Sequence, residues 1–125
     1  KLKKQGYPWE KAKVFKHSAI LGPWQPLSQL EPILQAEFSL RINETVRQVG
    51  YGRDMRWGPQ ATLQDLQKWF PLCDGDLLFT GTPEGVGPLH SGDRLHVLGP
   101  AIDYSFTIRR LNGRESLLSE EDLPA

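Results

Sequence analysis

The chain has 125 residues, enough for one compact domain whose core offsets chain entropy without disulfides. Its 15 lysines and arginines balance 15 aspartates and glutamates, so there is no basic excess to neutralise phosphates or anionic head groups, and nucleic acid and membrane surfaces drop out as partners. The single cysteine, Cys73, cannot form an internal bridge, and no run of about 18 apolar residues exists, so a soluble, cytoplasmic protein is expected.

Lys1 to Gln5, followed by Gly6, reads as the last turn of a basic helix with a glycine stop. The body of that helix would lie upstream, so a start inside a longer protein is expected. Tyr7 to Pro32 is interrupted by Pro8, Pro23, Pro26 and Pro32 and reads as loop, with short extended pieces around Ala12 to Phe15. Phe38, Leu40 and Ile42 then alternate with Ser39, Arg41 and Asn43, the period of a strand with one buried face. Asn43-Glu44 supplies a turn, and Val46 to Val49 returns as the hairpin partner.

Leu63, Leu66, Trp69 and Phe70 recur at helical spacing, predicting one helix over Thr62 to Phe70 with Thr62 as its N-cap and Trp69 and Phe70 in the core. Asp74-Gly75 marks a turn, and Asp76 to Thr80 reads as a short strand entering a glycine-rich loop, Gly81 to Gly87. Two further strands are predicted near Arg94 to Leu98 and Tyr104 to Arg110, separated by Gly99-Pro100. Beyond them Glu115, Glu120, Glu121 and Asp122 dominate, so residues 111–125 read as a frayed acidic tail on a domain spanning 1–110. The fold class that follows is mainly β with one helix, a sandwich-like roll or a distorted barrel.

The segment from Gly75 to Pro88 packs a strand, two threonines and several glycines into fourteen positions. Glycines let backbone approach a ligand closely, and threonine hydroxyls with nearby N–H groups can hold a carboxylate or phosphate oxygen. A loop that merely turns the chain has about equal weight on composition alone. The spacing fits neither a Walker loop nor a dinucleotide fingerprint.

Taken together, four motifs resemble the fumarylacetoacetate hydrolase family. Gly6-Tyr7-Pro8-Trp9 with Ala12-Lys13-Val14-Phe15 is similar to the family's Pro-Trp and Ala-Lys-x-Phe segment, followed by Leu21-Gly22-Pro23. Asn43 to Gln48 is similar to the family hairpin, with Thr45 in place of its glycine and Met55 at the usual remove. Gly75 to Pro88 matches nearly residue for residue, and Ser91-Gly92-Asp93 opens the next strand. Lys16 departs from the acidic residue that usually follows the Phe15 position. The likeness runs from Lys1 to about Arg110 and implies a mixed β-sandwich roll of this family's type, incomplete at its N-terminus.

The resemblance also implies roles. Lys13 stands where the family has its active-site lysine, which contacts the oxo-carboxylate end of a substrate and stabilises the developing enolate or oxyanion. Composition alone makes Lys13 an exposed strand lysine, like Lys11 two residues earlier. Thr82 matches the threonine that binds the substrate carboxylate, and Gly81 gives that carboxylate room; Thr80 and Glu84 are weaker candidates. The family's magnesium or manganese is held by Glu-x-Glu and an aspartate. Those positions fall upstream of Pro8-Trp9, so none of the metal ligands is expected in this chain and no ion is expected to bind it alone. Asp54, Asp74, Asp76, Glu84 and Asp93 show no ligand spacing, and His17, His90 and His96 fit no zinc pattern and read as surface or loop histidines.

Trp9, Trp24, Trp57 and Trp69 read as core and interface packing rather than stacking platforms, consistent with the homodimers that the resemblance implies. The function implied is part of a metal-dependent hydrolase, isomerase or decarboxylase acting on small oxo- or diketo-carboxylates. The alternative is a catalytically inactive binding or dimerisation module derived from that family.

Overall fold

A computed structural model describes residues 3–6, 8, 10, 13–111 and 114–119; for residues 3, 110, 111 and 114–119 the description is of the backbone alone. The architecture is mainly β with one main helix, as the residue pattern indicates. Five strands form one antiparallel sheet: β1 (Glu37–Ile42), β2 (Thr45–Tyr51), β3 (Arg94–Gly99), β4 (Ile102–Leu111) and β5 (Arg114–Ser119), in spatial order β2-β1-β3-β4-β5. In the segment 111–125, for which composition gives an acidic tail, the described backbone thus runs as β5 beside β4.

Asn43 and Glu44 close the first hairpin with φ of 50° and 67°, the double left-handed turn whose twist matches that of the flanking strands. Asn43 also ties the hairpin to β3. Its Nδ2 donates to Asp93 Oδ1 at 2.8 Å, and its Oδ1 accepts the Arg94 N–H at 2.9 Å. Pairing is regular from Ile42 and Thr45 to Arg41 and Val46. The next pair is Leu40 with Gln48, so Arg47 is an extra residue in β2, a bulge.

Strand pairing sets the core. Ile42 lies opposite Leu95, and Leu95 opposite Phe106, so all three share a face and are buried with Ile108. Leu40, Val97, Tyr104, Ile20 and Leu89 pack around them, and the Tyr104 and Phe106 rings sit 5.7 Å apart. Fully burying an apolar side chain of this size contributes about 1.5–3 kcal/mol. The opposite face carries Ser39, Arg41, His96 and Ser105, the polar half of the alternation.

The helical parts differ from expectation. Helix α1 (Glu31–Gln35), which the residue pattern does not predict, begins at the end of the stretch read as loop; Pro32 is tolerated because it falls in the first turn, where its missing N–H has no intrahelical partner to lose. Helix α2 runs over Pro59–Leu66, not Thr62 to Phe70: Gly58 is its N-cap and Pro59 opens it. The Thr62 hydroxyl donates back to the Gly58 carbonyl at 3.0 Å, so it sits inside the helix and caps nothing. Trp69 and Phe70 lie beyond the helix end, 74% and 59% exposed, and are not core.

Asp76 to Thr80 has no strand partner among the described residues; the chain there is irregular, its start fixed by the Asp76 carboxylate accepting the Cys73 N–H at 2.8 Å. At the beginning, Lys3–Gln5 forms a 3-10 turn ended by Gly6 at φ 70°. Lys13 and Val14 both donate their N–H groups to the Glu10 carbonyl, so the piece expected to be extended is a turn. Lys1, Trp9, Lys11 and Ala12 lie outside the described residues. No helix among the described residues is long and apolar enough to cross a membrane.

Candidate functional site

The glycine-rich loop folds back over β2. Gly85 has φ of 105°, and a side chain there would overlap the Arg47 carbonyl oxygen, so only glycine lets the loop lie this close to the strand. A Cβ at Gly87 would meet the Arg47 guanidinium at 2.6 Å. The loop is also bonded in place by Gln48. The Gln48 Nε2 donates to Thr82 Oγ1 and to the Pro83 carbonyl, each at 2.8 Å. A carbonyl can only accept, which fixes the nitrogen of the amide toward the loop. Because Thr82 Oγ1 accepts from Gln48, its own O–H remains available to donate elsewhere.

The loop forms one wall of a cavity of about 760 Å³. Leu30, Ile33 and Leu34 from the α1 region, Phe38 from β1, Val49 from β2 and Met55 supply its apolar lining. Thr80, Gly81, Thr82, Pro83 and Glu84 bring the polar edge, faced by Tyr51, Asp54, Arg56 and Trp57. Mostly apolar walls with a few converging polar groups are the usual make-up of a small-molecule site.

Several of the polar groups are already engaged. Tyr51 donates its hydroxyl to Glu37 Oε2 at 2.7 Å; this bond, reinforced by the negative charge of Glu37, raises the phenol pKa above its ordinary value. The Arg53 guanidinium stacks over the Tyr51 ring, 4.4 Å from its centroid, reaches the Gln35 carbonyl at 3.4 Å and lies 4.0 Å from Asp54. Thr80, Glu84 and Arg56 carry no such commitment to a side chain among the described residues.

Gly81 and Thr82, singled out from sequence, therefore line the cavity together with the weaker candidates Thr80 and Glu84. Lys13 is exposed and is not among the residues lining the cavity. Gln48 and Arg56 received no role from the sequence. Gln48 was visible only as part of the hairpin motif, and nothing in local pattern distinguishes Arg56.

Among the described residues no three His, Cys, Asp or Glu side chains come together, so the donors present do not fit a magnesium or manganese site. Of the histidines, His17 (φ 65°) and His90 are exposed, and His96 on β3 is within 2.6 Å of Asp103. Trp24 and Trp57 are 72% and 70% exposed, and so contribute no core.

Residues 1–108 match the model of the fumarylacetoacetate (FAA) hydrolase C-terminal region. The chain is 43% identical over 98 residues to the oxaloacetate tautomerase YcgM of Escherichia coli (strain K12), covering 78% of this chain and 45% of that protein. It is 29% identical over 91 residues to a fumarylpyruvate hydrolase of a Ralstonia species, covering 73% and 47%. A solved structure from Yersinia pestis CO92, bearing the name of a fumarylacetoacetate hydrolase family protein, superposes with a TM-score of 0.74 at 34% identity, over 94% of this chain and 49% of that one. The chain spans just under half the length of these relatives.

Proposed function

The chain belongs to the fumarylacetoacetate hydrolase family, and from that premise we propose that it supplies the carboxylate-binding side of an active site for small oxo-acids, in a hydrolase, isomerase or tautomerase of this family. The observation that carries this reading is the Thr82 hydroxyl, held by Gln48 so that its proton is free, on the wall of a largely apolar cavity.

In this reading the Thr82 O–H and the backbone N–H groups of Gly81, Thr82 and Glu84 bind the acid end of the substrate. Gly81, at φ of 96° with open space where a side chain would be, leaves room for the carboxylate to approach the backbone. For Lys13 the enolate-stabilising role rests on its place in the Ala-Lys-x-Phe motif alone, since it does not line this cavity; an ammonium beside a developing oxyanion lowers the barrier to proton shift or carbon–carbon cleavage. The relatives named for oxaloacetate and fumarylpyruvate support an oxo-acid substrate. No step of this reading runs through a metal ion, because the carboxylates among the described residues do not gather into a site for one. The exposed Trp24, Trp57 and Trp69 support burial against a second subunit, and the single Cys73 supports a reducing compartment such as the cytoplasm.

The test is an NMR titration of the chain with oxalate, a mimic of the oxo-acid enolate. Amide shifts at Gly81, Thr82 and Glu84, and weaker binding in Thr82→Val, are expected. Absence of shifts there, or oxalate affinity unchanged in Thr82→Val, would overturn the assignment. Binding without turnover by the full-length protein would favour the other reading, a carboxylate-binding module.

A further inference from the structure

We propose that Arg56 determines specificity by holding the second carboxylate of a dicarboxylic oxo-acid whose first carboxylate lies on the Thr82 loop. The inference rests on the acid-site reading above and adds a residue and a selectivity to it.

Arg56 is the one cation among the described residues lining the cavity. The two acids on the same lining do not neutralise it. Asp54 is 4.0 Å from Arg53, and neither Asp54 nor Glu84 approaches Arg56 within ion-pair distance. Helix α2, which begins three residues later, has no acid in its first turn. Nearby Arg53 shows the contrast: its guanidinium is spent on the Tyr51 ring and the Gln35 carbonyl, which makes it part of the frame.

A guanidinium offers a planar fork of N–H donors that matches a carboxylate in two parallel bonds. Thr82 can hold one carboxylate, and Arg56 lines the same cavity of about 760 Å³, which has room for a short diacid. A monoacid of the same length would place a methyl group where Arg56 needs an anion, leaving the cation unmatched. Selectivity for diacids over monoacids follows.

The experiment compares 2-oxopentanedioate with 2-oxopentanoate, which differ by one carboxylate at equal chain length. Both are titrated by calorimetry into the full chain, Arg56→Gln, Arg56→Lys and Thr82→Val at one ionic strength. The diacid should bind the native chain about tenfold more tightly, the scale of one charged hydrogen-bonded contact. Arg56→Gln should bring the ratio close to one by weakening the diacid more than the monoacid, while Arg56→Lys, which keeps charge without the fork, should retain part of the ratio. A ratio of one in the native chain, or a ratio untouched by Arg56→Gln, would sink the role of Arg56 while weakening of both acids by Thr82→Val keeps the acid site. If neither acid binds, or Thr82→Val changes nothing, the acid-site reading falls and this inference with it.

Discussion

Gln48 on β2 and Thr82 in the glycine-rich loop are joined across 34 residues of chain by a 2.8 Å hydrogen bond from the Gln48 amide to the Thr82 hydroxyl. The same amide nitrogen holds the Pro83 carbonyl, so a single side chain sets both the height of the loop and the direction of the hydroxyl.

Replacing Gln48 with leucine removes both bonds while keeping the side-chain bulk. The expected loss is about 1–2 kcal/mol of stability. Amide hydrogen exchange at residues 81–87 should quicken more than exchange in β3 or β4, and oxalate affinity should fall about tenfold. Exchange that rises evenly over the sheet would contradict a local anchoring role.

Two glycines in the loop separate conformational cost from steric cost. Gly81→Ala meets open space and pays only for positive φ, about 1–2 kcal/mol. Gly85→Ala adds a collision with the Arg47 carbonyl and should cost more than about 3 kcal/mol. Urea unfolding of the two variants checks the order, which must be Gly85 worse than Gly81.

Glu44 occupies the second left-handed position of the hairpin turn, φ 67°, where glycine is favoured. Glu44→Gly should therefore stabilise the chain by about 1 kcal/mol, read as a higher melting temperature.

Acid should loosen the join between the first hairpin and β3. The Asp93 carboxylate accepts the His90 N–H at 2.7 Å and the Asn43 amide at 2.8 Å, and these bonds, His90 first, hold its pKa below the ordinary 3.8. A depressed folded-state pKa means that the stabilisation is complete above the unfolded value and disappears as pH falls through the folded one. Stability should thus decline between about pH 5 and pH 2, and Asp93→Asn should flatten that part of the profile in urea midpoints taken across it.

The first hairpin was legible because Phe38, Leu40 and Ile42 alternate with polar neighbours, and β3 and β4 were legible as strands, though their pairing with each other was not. Helix α2 was found but misplaced: apolar spacing continued through Trp69 and Phe70 after the backbone had left the helix, while the true start was written in Gly58-Pro59. Leu77, Leu78 and Phe79 looked like a strand because they are apolar, yet apolarity cannot supply a pairing partner, and all three are substantially exposed. The glycine loop and Thr82 were readable as a motif. Gln48's hold on that loop was not, since it depends on a tertiary contact and on the extra residue in β2.

That extra residue acts as a selector. Counted from the Asn43-Glu44 turn, unbroken pairing would set Arg47 against Leu40 and Gln48 against Ser39, sending the amide to the polar side of the sheet. Arg47 shifts the count by one, and Gln48 emerges beside Leu40, under the loop. The length of a hairpin arm, rather than the identity of any side chain in it, decides whether the glycine-rich loop has its support.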